Sequence, residues 1–263
     1  MVAAVETKAG NMSTPIRVAV AGAHGKMGAF TIAALRNAND VEYVGGLVRA
    51  KPAGVDEYAD VSALVTNTRP DVLVDFSVFP ASKGISIDAI GRGVRPVIGA
   101  SGYGAGDVQE LRAAVTRSGI GCVFAPNFAI GAVLMMKFSV EAARHFGAVE
   151  IVEMHESGKK DAPSGTAMAT ARAISGVRAF ERAPTASVIA QGARGADVGG
   201  VGVHSLRMPG VVTHQEVRFG GDGEQLTIMH DSSSRSSFMP GVLLAVRAAK
   251  GLTRFVDGLG ELL

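Results

Sequence analysis

From Ile16 to Phe124, short apolar runs alternate with segments whose apolar residues return every three or four positions. Ile16–Ala21 is an apolar run ending at a glycine, and a helical pattern follows from about Lys26 to Arg36. Val41–Val48 and Asp71–Phe76 read as the next strands. A helix over Ala81–Gly91 leads to a strand at Pro96–Ile98, and a helix over Asp107–Ser118 leads to a strand at Ile120–Phe124. Strands regularly spaced by helices predict a parallel, doubly wound sheet, that is, an α/β domain of the Rossmann type.

Beyond Phe124 the rhythm changes. A longer helical pattern covers Gly131 to Phe146 with Val133, Met136 and Val140 on one stripe, and the pair Met135-Met136 reads as core. Strands are then expected at Val149–Met154, Ser187–Ala190, Val201–Arg207, Val211–Phe219 and Glu224–His230, with one helix starting near Ser164. Val211, Thr213, Gln215, Val217 and Phe219 alternate against Val212, His214, Glu216 and Arg218, as in a sheet with unlike faces. Gly220-Gly221-Asp222-Gly223 predicts a hairpin. This portion is expected to be a separate α+β, largely antiparallel domain. A last helix, about Pro240 to Lys250, is expected to return to the first domain. The division expected is an extension over 1–15, a first domain over 16–126 with 236–263, and a second over 127–235.

Composition narrows the class. The 34 glycines among 263 residues are roughly twice the usual ~7% and suit tight turns and close backbone approaches to a ligand. A net charge of +2 gives no global field for nucleic acid or an anionic membrane. No metal-type Cys/His spacing occurs. The lone Cys122 sits in an apolar run and reads as a small buried hydrophobe. The first fifteen residues lack a signal-peptide core and no stretch is long enough to span a bilayer, so a cytoplasmic location is expected.

The chemistry begins at Gly22-Ala23-His24-Gly25-Lys26-Met27-Gly28, which follows the first strand and opens the first helix. Glycines there let the backbone turn and approach a pyrophosphate, and the helix start offers free N–H groups. A purely structural turn is the alternative. The second strand ends in Gly46-Leu47-Val48-Arg49, without the carboxylate that would hold an NAD ribose; Glu42 lies at its wrong end. Lys26 and Arg49 either flank the 2′-phosphate of NADP or are a solvated basic pair. NADPH is expected to serve at least as well as NADH.

A second constellation runs Glu153-Met154-His155-Glu156-Ser157-Gly158-Lys159-Lys160-Asp161-Ala162-Pro163-Ser164-Gly165-Thr166. His155 ends a strand and can exchange protons near neutral pH. Lys159 brings positive charge, and Gly165 and Thr166 open a helix as a carboxylate site. The stretch Lys159–Thr166 matches the K-x-D-A-P-S-G-T motif of the dihydrodipicolinate reductases. Five further motifs of that family recur in order: Gly22–Gly28, Asp75-Phe76-Ser77, Gly99–Tyr103, Ala125–Gly131, and Ser234-Arg235 followed by Phe238 and Gly241. The chain therefore resembles this family over nearly its whole length from Ile16.

The resemblance implies an NADPH- or NADH-dependent reductase of a cyclic dicarboxylate in lysine and diaminopimelate biosynthesis, assembled as a homotetramer through the second domain. It implies that Gly22 through Met27 bind pyrophosphate and adenosine, and that Gly99, Ala100, Ser101, Ala125, Pro126, Asn127 and Phe128 line the nicotinamide end. His155 would be the general acid/base group and Lys159 the proton donor, with Gly165 and Thr166 holding a substrate carboxylate. The chain departs from the family at Glu156, which stands where a second histidine usually contacts substrate. A carboxylate there would repel a dianion unless it turns away or pairs with Lys160. His145, His204, His214 and His230 read as structural or surface groups. His24 reads as a cofactor contact or a loop residue, and Arg235 as a carboxylate partner or a surface arginine. Two rivals are another two-domain dehydrogenase, such as one acting on a semialdehyde, and a non-catalytic nucleotide sensor. The first lacks a convincing cysteine nucleophile; Glu156 alone favours the second.

Overall fold

A computed structural model describes residues 14–49 and 52–263. The expected extension over 1–15 lies outside these apart from Thr14 and Pro15. The chain forms two compact units. One gathers the described residues up to Phe124 with Leu243–Val256, and the other gathers Ala125–Val242 with Asp257–Leu263.

In the first unit the order is β1 (Ile16–Ala21), α1 (Lys26–Asn37), β2 (Val41–Leu47), β3 (Glu57–Tyr58), α2 (Val61–Thr68), β4 (Val72–Asp75), α3 (Ala81–Gly91), β5 (Arg95–Ile98), α4 (Ala105–Ser118) and β6 (Cys122–Phe124). The strands lie side by side as β3-β2-β1-β4-β5-β6 and each of these pairs is parallel. This is the doubly wound order, with its reversal between β1 and β4. Being interior, β1 buries Val18, Ala19, Val20 and Ala21 fully, so it reads as a continuous apolar run and not as an alternation. Cys122 joins Ile98, Leu111 and Phe124 in one core cluster, and burial pushes its thiol pKa up. It is the buried hydrophobe expected.

The sequence pattern did not reveal β3 or α2. The helix is only eight residues long and rich in Val and Thr, which are weak helix formers. What starts it is Asp60, whose side chain accepts a hydrogen bond from the Ala63 N–H at 2.8 Å. What stops it is Arg69 in the left-handed region (φ 44°), followed by Pro70.

The second unit contains α5 (Ile130–Ala142), β7 (Ala148–His155), α6 (Gly165–Ser175), β8 (Ala196–Val198), β9 (Val201–Arg207), β10 (Thr213–Gly221) and β11 (Glu224–Ser232). Its sheet runs β11-β10-β7-β9-β8. The β7/β9 pair is parallel and the others are antiparallel. The β10/β11 register ends at Gly221 opposite Glu224, leaving Asp222-Gly223 as the two-residue turn, with Gly223 at φ 76°. One core cluster unites Val149 and Ile151 of β7, Val217 and Phe219 of β10, Met135 of α5 and Ala171 of α6. Met135 is therefore core, and Met136 packs against the same cluster.

Ser187–Ala190 is not a strand. Val188 and Ile189 are 56% and 98% exposed, and a short apolar run without a partner to bond is left as a loop. The strand at that edge of the sheet is β8, which begins six residues after Ala190. The last helix, α7 (Met239–Ala249), starts in the second unit and ends in the first. The final strand, β12 (Phe255–Asp257), lies beside β6.

Candidate active site

Period-two geometry explains the placement of His155. Successive residues of β7 face opposite sides of the sheet, so Val149, Ile151, Glu153 and His155 share the side that packs on the helices. The first three are buried. Position 153 is thus a core position occupied by a carboxylate, and such a group must be paired.

Three elements supply its partners. Arg207, at the end of β9, places one guanidinium nitrogen 2.8 Å from Oε1 and another 3.0 Å from Oε2. The Ser164 N–H, capping α6, donates to Oε1 at 3.2 Å. His155 Nδ1 lies 2.6 Å from Oε2. Burial alone would raise the Glu153 pKa, but hydrogen bonds from His155, Arg207 and Ser205 outweigh it and pull the value down to about 2. Across the ring, His155 Nε2 sits 3.0 Å from Thr213 Oγ1, because Thr213 of β10 is directly opposite His155.

These groups open onto a cavity of about 570 Å³ built entirely from the second unit. Its wall includes Asn127, His155, Lys159, Lys160, Thr166 and Arg235. Asn127 Nδ2 donates to Thr166 Oγ1 at 3.2 Å, which leaves the threonine O–H free to donate. Gly165 and Thr166 start α6, where N–H groups have no partner within the helix. A Cβ built on Gly165 would meet nothing within 4 Å, so the space over the helix start is open. Lys159 Nζ is held by Asp161 at 2.7 Å. Glu156 pairs with Arg235 at 2.8 Å and not with Lys160, which has no ion-pair partner among the described residues. Of the three cavity cations, Lys160 alone keeps its charge unneutralised by a neighbour.

The glycine loop lies in the first unit. Gly22 takes φ +75°, and a Cβ there would come within 2.7 Å of the Phe76 carbonyl oxygen. A Cβ on Gly28 would overlap the Gly22 carbonyl. Gly25 precedes α1 without a side-chain cap, and the first turn holds no acidic residue. Bare backbone N–H groups at a helix start without negative charge fit a pyrophosphate.

Ala23 is buried, while His24, Gly25, Lys26 and Arg49 are exposed. His24 Nε2 is 2.6 Å from Glu57, a residue that periodicity did not single out. The Ala53 N–H, then His24 and the Gly54 N–H, hold the Glu57 carboxylate down at about 2. At the end of β5, the Gly99 N–H bonds to the Asp75 carbonyl at 2.9 Å. Ala100 is buried and Ser101 exposed. The buried Asp75 side chain accepts from Ser82 Oγ at 2.6 Å, and that hydroxyl meets the Tyr103 hydroxyl at 2.7 Å.

Of the segment Ala125–Phe128, Pro126 and Asn127 reach the cavity wall, whereas Ala125 and Phe128 are buried. Among the remaining histidines, His204 bonds to Glu150 at 2.8 Å and His214 to Asp231 at 2.6 Å, both structural roles. His145 is an exposed neighbour of Glu141. His230 joins the cavity wall, and burial lowers its pKa. Glu153, Arg207 and Thr213 escaped the sequence reading. The signal for the first was present, since Glu153 continues the Val149, Ile151 face as a charge where an apolar residue is due. Arg207 and Thr213 become neighbours only through strand register.

Comparison with known proteins is consistent along the chain. Residues 16–128 match the family described as "Dihydrodipicolinate reductase, N-terminus" and residues 131–262 match "Dihydrodipicolinate reductase, C-terminus". The chain is 44% identical to the 4-hydroxy-tetrahydrodipicolinate reductase of Halalkalibacterium halodurans, over 94% of this chain and 99% of that protein. It is 42% identical to that of Bacillus licheniformis, over 94% and 98%. The solved structure of dipicolinate-bound dihydrodipicolinate reductase from Paenisporosarcina sp. TG-14 superposes with a TM-score of 0.87 at 37% identity, covering 95% of this chain and 100% of that one.

Proposed function

The chain belongs to the dihydrodipicolinate reductase family, and from this membership we propose where and how it works. It is an NAD(P)H-dependent oxidoreductase that reduces 4-hydroxy-tetrahydrodipicolinate to tetrahydrodipicolinate in the diaminopimelate and lysine pathway. Its reacting centre is placed at the cavity around His155. The single observation carrying this is the meeting, in one cavity, of an acid/base histidine, a lysine ammonium and an open helix start.

Gly22 through Met27 would hold the pyrophosphate, with Gly99, Ala100, Ser101 and Ala125–Phe128 toward the nicotinamide. When bound, the reduced nicotinamide supplies the hydride. The chain's own residues do the rest. The Gly165 and Thr166 N–H groups and the Thr166 hydroxyl, aimed by Asn127, take one substrate carboxylate. Lys160 and Arg235 supply positive charge for the dianion. Once the 4-hydroxyl and a neighbouring ring hydrogen have left as water, Lys159 Nζ gives the proton to the carbon next to the one that receives hydride, and His155 acts as general acid/base group through Nε2.

Coenzyme choice follows from the end of β2. Arg49 is exposed, and the Glu57 carboxylate on β3 is already bonded to two N–H groups and His24. NADPH is therefore used at least as well as NADH.

The protein is a cytoplasmic homotetramer in this reading. In support, no helix among the described residues is long and apolar enough to cross a membrane. The second unit exposes Leu226 and Met229 on β11, and β11 leaves one edge of its sheet open. Apolar surface beside an open edge needs covering.

The test is NADPH and NADH oxidation with substrate made in situ by the preceding synthase. His155→Ala and Lys159→Ala should each lower kcat by about 10²–10⁴-fold, the range a positioned acid supplies, and change KM less. Full turnover in both variants would remove these residues from the chemistry.

A further inference from the structure

The acid/base role proposed for His155 requires its ring to present a defined nitrogen to the substrate. A neutral imidazole has two tautomers, and a bond to one nitrogen decides which the other becomes. Here Nδ1 lies 2.6 Å from Glu153 Oε2 and Nε2 belongs to the cavity side with Thr213.

We propose that Glu153 is the positioning residue of the reaction: its buried carboxylate accepts a hydrogen bond from Nδ1–H, fixes His155 in that tautomer and leaves Nε2 as the proton-exchanging atom, while Arg207 holds the carboxylate in place. The inference rests on the acid/base reading of His155 but adds a residue that touches neither substrate nor cofactor.

Three observations carry it. Glu153 has no exposed surface, yet its oxygens are engaged by Arg207, Ser164 and His155. Such a charge persists in a core only when paired and hydrogen-bonded. Next, the guanidinium contacts both carboxylate oxygens, so the plane of the carboxylate is fixed by a two-point contact. Arg207 also donates to the Asp161 carbonyl at 2.7 Å, tying the pair to the loop that carries Lys159. Finally, the Ser164 N–H that Glu153 accepts belongs to the cap of α6. One carboxylate thus references the histidine, the lysine loop and the carboxylate-binding helix start to each other. When a proton leaves Nε2–H, the electron pair stays on Nε2 and Nδ1–H remains bonded to Glu153.

Glu153→Gln separates these statements. The amide would turn its oxygen to Arg207 and its NH₂ to His155, and an NH₂ donating to Nδ1 selects the opposite tautomer. The nitrogen-15 NMR spectrum of His155 should show Nδ1 protonated and Nε2 bare in the neutral ring of the native enzyme, and the reverse in Glu153→Gln. The kcat of Glu153→Gln should fall about 10²-fold or more with KM changed far less, and Glu153→Asp should recover part of it. Where Glu153→Gln folds poorly because Arg207 loses its counter-charge, Glu153→Gln with Arg207→Gln removes both charges and should show the same loss of kcat.

A native spectrum with the proton on Nε2 would overturn the proposal without any variant. So would native kcat in either Glu153→Gln enzyme while His155→Ala is impaired. If His155→Ala itself kept full kcat, the acid/base reading would fall first, which makes the two failures distinguishable.

Discussion

Glu156 shows how one substitution is absorbed by its surroundings. Next to His155 it would repel a dianionic substrate, but it spends its charge on Arg235. In the proposed site, Arg235 would therefore meet a substrate carboxylate with its charge partly offset by Glu156. An exposed pair of this kind contributes ~0.2–1 kcal/mol. Glu156→Gln should therefore lower KM for the dicarboxylate by up to about fivefold, with a smaller effect on kcat, as steady-state kinetics at fixed coenzyme would show. A raised KM would mean that Glu156 contacts substrate favourably. Residue types and their motif pointed to His155, Lys159 and the Gly165-Thr166 pair as candidates, since few other residues do that chemistry. The direction in which Glu156 pairs was not legible, because Lys160 is its neighbour in sequence and Arg235 only in space.

Elements were legible in proportion to their length and regularity. α3 and β1 have the bounds that their periodicity predicts, and the hairpin turns at Asp222-Gly223 because a glycine supplies the positive φ there. The short α2 was missed, since eight residues give little more than two turns of pattern. Its start depends on one cap. Asp60→Ala should lower stability by about 1 kcal/mol, the usual loss on removing an N-cap, seen as an earlier midpoint in urea. An unchanged midpoint would mean that packing of Val61 and Leu64 suffices to hold the helix. The expected strand at Ser187–Ala190 failed for a related reason: a β-run is stable only with a neighbour, and local sequence does not say whether one arrives.

Assembly and pH response are properties of the folded protein as a unit. Met229 is 57% exposed on β11. If that sheet joins four copies, light scattering should give about four times 27.0 kDa for the native protein, and Met229→Lys should shift the mass downward. A native mass of one chain would end the proposal. Acid stability follows from Glu153. Its folded pKa is depressed from 4.5 to about 2, so its stabilisation is fully present above the unfolded value and is lost as pH falls from about 4.5 toward 2. The loss expected is on the order of 3 kcal/mol. Urea unfolding across that window should be steeper in pH for the native enzyme than for Glu153→Gln with Arg207→Gln; equal slopes would show that other carboxylates govern it.

The order of apolar and polar residues, with glycine and capping residues between, was enough to assign a parallel α/β unit and a mixed-sheet unit, and motif chemistry named the residues proposed here for proton transfer and carboxylate binding. These are local matters: periodicity, backbone freedom and side-chain reactivity are carried by neighbours in sequence. The clamp that Arg207 closes on the Glu153 carboxylate and the pairing of Glu156 with Arg235 were decided by the folded chain. Each depends on strand register or on segments tens of residues apart being brought within 3 Å, and no local pattern encodes such a distance.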